Sequence, residues 1–90
     1  MPLLFVVQDV FAIKERGVVA IGKLADPEHA RFRIGDPVEV RRTDGGVVKT
    51  AIIGVPMGMA AVGMAEVLLR GVSASDVRPG DAVWVGEASL

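Results

Sequence analysis

The chain has 90 residues, no cysteine, a single histidine and a formal net charge of −1 at pH 7. The length predicts one domain, residues 1–90, and the missing cysteines exclude a disulfide framework, a thiolate zinc site and a cysteine nucleophile. The balanced charge gives no overall field that would attract nucleic acid or an anionic membrane. With 51% hydrophobic residues, the composition predicts a small folded domain with no cofactor, no metal site and no catalytic activity.

The predicted elements are β-strands, because valine and isoleucine dominate the apolar residues and turn signals recur about every ten residues. Each predicted strand is an apolar or alternating run between two such turns. In chain order these runs are Leu3–Ile13, Val18–Ala25, Arg31–Ile34, Val38–Arg41, Val47–Val55, Ala65–Val72 and Ala82–Val85. We expect about six strands and no helix of useful length.

The turns between these runs are predicted from glycine, proline and aspartate. Lys14–Gly17 and Thr43–Gly46 indicate hairpins, and Asp26–His29 indicates a turn led by Pro27. Gly22, inside an apolar run, indicates a bulge or a close approach of two segments. Ser73–Asp76 has the polar start of a short helical turn.

The stretch between Lys49 and Arg70 has the length of a membrane span and contains one charged residue, Glu66. Pro56 and three glycines interrupt it, so we expect a buried strand, loop and strand, with a membrane span as the alternative. The N-terminus lacks the basic region of a signal peptide. We therefore expect a cytoplasmic protein without membrane contact.

A phosphate-binding loop is the nearest match to a catalytic motif. The segment from Gly17 to Lys23 fits G-x-x-x-x-G-K, but Leu24 stands where a serine or threonine would bind Mg²⁺. Its interior, VVAI, favours a strand. The glycines are therefore interpreted as strand punctuation, and we expect no nucleotide site.

Four segments together resemble a known family. Asp9–Phe11 reads DVF, Arg16–Val19 reads RGVV, Leu68–Val72 reads LLRGV, and Gly80–Asp81 reads GD. In this order and spacing the chain resembles domain 2 of the elongation factor Tu family of translation GTPases, over nearly all of residues 5–85. The resemblance implies an all-β fold, a small closed six-stranded antiparallel β-barrel. It also implies contact with a GTPase domain and, in members that carry tRNA, with the aminoacylated 3′ end.

The resemblance also implies positions for a polar aminoacyl pocket, and Asp9 and Phe11 keep two of them. Four other pocket positions are apolar here. They are Ile21, Pro56, Met64 and Pro79. Because each lost polar contact weakens binding, we expect a non-catalytic protein-interaction module with an apolar rim. The predicted partner-binding rim consists of Asp9, Phe11, Met57, Met59 and Met64. The partner is expected to be a protein, with a GTPase as one candidate, or a second copy of the chain.

The alternative is an RNA-binding module that contacts tRNA or the ribosome. Its candidate residues are Arg31, Arg33, Arg41 and Arg42, of which the first two share a face if residues 31–34 form a strand. A solvated arginine face is the competing interpretation. An enzyme that uses the scattered carboxylates is a third hypothesis, and their spacing does not favour it.

Overall fold

Six antiparallel strands close into a barrel in the computed structural model, which describes residues 1–56 and 63–86. The order around the barrel is β1-β2-β5-β4-β3-β6. The strands are β1 (Leu3–Ile13), β2 (Gly17–Leu24), β3 (Pro37–Arg41), β4 (Val47–Gly54), β5 (Met64–Arg70) and β6 (Ala82–Val85). The predicted all-β fold class, a small closed six-stranded antiparallel barrel, is confirmed.

The predicted strand at Arg31–Ile34 is wrong, because this segment is irregular. Asp36 closes a turn there: its amide donates to the Arg33 carbonyl at 3.1 Å, and its carboxylate accepts from the Arg33 amide at 2.9 Å. Side-chain bonds of this kind compete with strand pairing. Phe32 still packs against the core, but Ile34 is 64% exposed.

The stretch between Lys49 and Arg70 was expected to form a strand, a loop and a strand, and its two strands are confirmed as β4 and β5. Residues 57–62 of this stretch lie outside the described residues. No helix in the described part of the chain is long and apolar enough to cross a membrane.

The barrel interior is filled by alternate residues of the strands, as the two-residue period of a strand requires. Phe5, Ile52 and Leu69 are the largest fully buried side chains. Gly22 confirms the predicted close approach, since a Cβ there would collide with the ring of Phe5 and with the carbonyl oxygen of Val6. The close packing of β1 against β2 at this point therefore requires a residue without a side chain.

Two turns of equal geometry enter β3 and β6, which pair with each other. Each has an Arg-x-Gly-Asp sequence, 33–36 and 78–81, with glycine φ values of 100° and 97°. In both turns the aspartate carboxylate accepts from the arginine amide at 2.9 Å. The same type of four-residue turn therefore precedes both β3 and β6.

Candidate functional site

Among the described strands, β1 carries the largest number of exposed large hydrophobic side chains. Six large hydrophobic side chains are exposed among residues 1–56 and 63–86, and three of them lie on β1. These three are Val6, Phe11 and Ile13, at 47%, 51% and 38% exposed. Phe11 and Ile13 are two positions apart and so share one face of the strand.

A β-bulge sets this surface. The pairing of β1 with β2 shifts between Val7 and Asp9, which leaves Gln8 without a register partner. Val7 is buried, whereas Asp9 and Phe11 are exposed. Because of the extra residue, the odd-numbered side chains of β1 face the interior before the bulge and the outside after it.

Phe11 lies at the end of a row of apolar residues that crosses three strands. It pairs with Val19, and Val19 pairs with Leu68. Val19 and Leu68 are 8% and 7% exposed, while Phe11 remains half exposed. Phe11 is therefore the accessible member of this row.

Among the described residues of the predicted rim, Met64 lies apart from Phe11. Met64 begins β5 and pairs with Lys23, which pairs with Val6. Phe11 lies five residues further along β1, a separation of about 16 Å at the rise of an extended strand. Asp9 and Phe11 are therefore together, and Met64 is apart from Phe11. Met57 and Met59 lie outside the described residues.

Sequence reasoning missed Val6 and Ile13 as surface residues. The run Leu3–Ile13 is apolar on both faces, so its pattern does not distinguish core from surface. The two-residue spacing from Phe11 is the signal that would have indicated Ile13.

The four arginines do not form one face. Arg31 and Arg33 precede β3, whereas Arg41 ends it and Arg42 follows. The guanidinium of Arg41 lies 4.2 Å from the centre of the Trp84 ring, and its Nε lies 3.3 Å from Glu39 Oε1. Arg42 pairs with Asp44 at 3.0 Å. The two pairs of arginines are thus at opposite ends of β3.

Arg31 and Arg33 line an open cleft of about 940 Å³ together with Phe32, His29 and the N-terminal residues. His29 Nδ1 lies 3.0 Å from the carboxylate of Asp26, and both side chains are exposed. Within the described residues, neither Arg31 nor Arg33 makes an ion pair. Asp26 and Asp36 also line this cleft, so its two arginines lie beside two acidic residues.

The buried carboxylates belong to the turns. Asp81 is 2% exposed and accepts from the amides of Thr43 at 3.0 Å and Arg78 at 2.9 Å. Asp36 is 5% exposed and accepts from the Arg33 amide. No three His, Asp or Glu side chains of the described residues come together as a metal ion would require.

Asp76 is the carboxyl group whose acidity responds most clearly to its surroundings. The Ser73 amide donates to Asp76 Oδ2 at 3.0 Å, and the Ser73 hydroxyl donates to the same oxygen at 3.1 Å. These hydrogen bonds, the backbone one first, lower the pKa of Asp76 below its ordinary value. The group stabilises the predicted turn at Ser73–Asp76.

No protein-family model matches the chain.

Proposed function

We propose that this barrel is a non-catalytic interaction module that binds another protein through the outer surface of β1. The observation that supports this function is the concentration of exposed large hydrophobic residues at Val6, Phe11 and Ile13. Exposed aromatic and aliphatic side chains beside polar ones are typical of protein-binding surfaces. Asp9, at the centre of this surface, supplies a polar group for orientation.

The absence of catalysis in this proposal rests on where the reactive groups lie. The histidine is exposed and faces one carboxylate, Asp26. Asp36 and Asp81, the buried acids of the described residues, accept hydrogen bonds from backbone amides. Groups used in this way stabilise turns instead of transferring protons.

We also propose that the chain is related to domain 2 of the elongation factor Tu family. The six-stranded closed barrel is compatible with it. The segments that carry the resemblance also lie side by side, since Phe11 pairs with Val19 and Val19 with Leu68. The partner proposed on this basis is a protein, either a GTPase of the translation apparatus or a second copy of the chain.

The test is site-specific photo-crosslinking. A benzophenone amino acid replaces Phe11 in one variant and Val47 in the other, since these side chains are 51% and 52% exposed. In living cells we expect protein adducts from position 11 and few from position 47. Equal adducts at both positions, or none at position 11, would contradict the proposed surface. Mass spectrometry of the adducts then tests the link to translation.

RNA binding is the second candidate, and the cleft at Arg31 and Arg33 favours it because neither arginine is paired with an acid within the described residues. Arg31→Ala with Arg33→Ala should then abolish tRNA binding, while Arg41→Ala with Arg42→Ala should reduce it little. Binding should also weaken as salt is raised. The same loss in both double variants would argue against the cleft.

A further inference from the structure

Among residues 1–56 and 63–86, no strand lies beside one side of β1 along its second half. β6 pairs with β1 at Leu3, Phe5 and Val6 and no further. The turn at Gly80–Asp81 then occupies the edge at Val7, through bonds of 2.9 and 2.8 Å. From Gln8 to Ala12, no backbone bond joins β1 to any described segment except β2.

The pairing of β2 shows which groups face this open edge. The amide of Leu24 donates to Gly63 on the β5 side, and the amide of Ala25 donates to Leu4 on the β1 side. Because antiparallel residues alternate between their two neighbours, the odd-numbered residues of β2 bond with β1. These include Val19, the partner of Phe11.

Asp9, Phe11 and Ile13 therefore use their backbone groups within the barrel. Val10 and Ala12 direct their amides and carbonyls toward the open edge. One of these four groups is satisfied locally, since the Val10 amide donates to Asp9 Oδ1 at 2.9 Å. The edge is thus a short template for another extended strand.

We propose that the occupant of this edge is β1 of a second copy of the chain, paired antiparallel with Phe11 opposite Phe11. This proposal rests on the proposed function and names the partner of the same surface. With Phe11 at the centre, Val10 of each copy lies opposite Ala12 of the other. Two bonds form between groups that are free, each from an Ala12 amide to the Val10 carbonyl of the other copy. Two more form when the Val10 amides exchange Asp9 Oδ1 for the Ala12 carbonyls of the other copy.

The side chains agree with this register. The central Phe11 pair occupies a non-hydrogen-bonded position, where opposite side chains approach most closely. Ile13 of each copy lies diagonal to Phe11 of the other. In this register Asp9 of each copy lies opposite Ile13 of the other, at the two ends of the paired segment.

Shifting the register by two residues is less favourable. With Ala12 at the centre, Asp9 would face Glu15 of the second copy, and like charges would oppose each other. With Val10 at the centre, Ala12 would face the bulged residue Gln8. The interface is small in either case, so we expect a reversible dimer with a dissociation constant of about 100 μM or higher.

The absence of native cysteine permits a direct test by oxidation of single-cysteine variants. Phe11→Cys should form a disulfide dimer about tenfold faster than Val47→Cys, because a cysteine pair at position 11 meets the distance that a disulfide needs. A mixture of Asp9→Cys and Ile13→Cys should give the mixed dimer preferentially. Equal rates for positions 11 and 47, or preferential linkage of position 11 to position 13, would overturn the proposed pairing.

A second measurement leaves the side chains of Asp9, Phe11 and Ile13 in place. Ala12→Pro removes an outward amide that β2 does not use, and Ala12→Ser keeps it as the matched control. In sedimentation equilibrium up to about 1 mM chain, the serine variant should dimerise as the native chain does and the proline variant should stay monomeric. Equal dimerisation of both variants, with folding checked by amide NMR spectra, would overturn strand pairing.

The two proposals fail in different ways. A chain that stays monomeric in both experiments, but gives adducts with other proteins from position 11, refutes the second copy as partner and leaves the binding surface standing. A chain without adducts and without dimers refutes both.

Discussion

Asp36 and Asp81 occupy equivalent positions in the barrel, because each is the last residue of a turn and directly precedes a strand, β3 or β6. Each carboxylate accepts from the amide three residues earlier at 2.9 Å. Each turn also exchanges two backbone bonds with a buried residue of another strand, Ile52 for the first and Val7 for the second. The same type of turn therefore joins the start of one strand to a second strand at two places that are far apart in the sequence.

The two turns differ in one hydrogen bond. We therefore expect substitutions of the two aspartates to lower the free energy of unfolding by different amounts. Asp81 serves a second amide, that of Thr43, so Asp81→Ala leaves two donors without an acceptor and should lower the free energy of unfolding by about 3 kcal/mol. Asp36→Ala leaves one donor and should cost about 1–2 kcal/mol. Urea unfolding monitored by circular dichroism measures both. Equal costs would mean that the Thr43 bond contributes nothing.

Gly22→Ala should be among the most destabilising single-methyl additions in the described part of the chain. The added Cβ would meet the backbone carbonyl of Val6 as well as Phe5, and backbone cannot rotate away. We expect a loss of about 2–3 kcal/mol in the free energy of unfolding. Gly54→Ala is the control, because its new Cβ would meet only the flexible side chain of Leu68 at 3.3 Å. A larger loss at Gly54 would contradict this packing.

The stacking of Arg41 on Trp84 is accessible to fluorescence, since Trp84 is the single tryptophan. Arg41→Ala removes the guanidinium above the ring and should change both emission intensity and wavelength, with a loss of about 0.5–1 kcal/mol in stability. Arg42→Ala should leave the emission unchanged, because Arg42 pairs with Asp44 instead. Similar spectral changes in both variants would rule out the stacking as their cause.

Asp76 predicts a dependence of stability on acid. Its pKa is lower in the folded chain than its ordinary value of 3.8, because Ser73 donates two hydrogen bonds to the ionised form. A lowered folded pKa stabilises the fold above the unfolded pKa, and this stabilisation is lost as the pH falls through the folded value.

The corresponding variant is Asp76→Asn, which does not ionise. Its Tm should lie below that of the native chain at pH 7, and the difference should shrink as the pH falls below about 4. Thermal unfolding at a series of pH values measures this difference. A constant difference across the series would show that ionisation of Asp76 is not linked to folding.

Local sequence was sufficient for most of the barrel. β6 was predicted at its observed bounds, Ala82–Val85, and the hairpins at Lys14–Gly17 and Thr43–Gly46 connect paired strands. These elements were predictable because alternation and turn residues act over a few neighbouring positions. The prediction of a strand at Arg31–Ile34 was wrong because the carboxylate of Asp36 accepts a hydrogen bond from the Arg33 amide and forms a turn.

The candidate site was less predictable. Phe11 is exposed, and its separation from Met64 follows from the registers of β1 with β2 and of β2 with β5. Register depends on which strands meet and on the bulge at Gln8, and both are long-range properties. For the same reason the arginines at the two ends of β3 could not be placed from their spacing.

By itself, the sequence determined the strands, most of the turns and the all-β class, because these depend on short-range patterns of apolar residues, glycine and aspartate. Only the tertiary structure decided the order of strands around the barrel, the contacts that the turns at Asp36 and Asp81 make with other strands, and the open edge at Val10 and Ala12. These features arise from contacts between distant segments, and the packing of the closed barrel selects them. A pattern of neighbouring residues carries no information on which strand lies beside which.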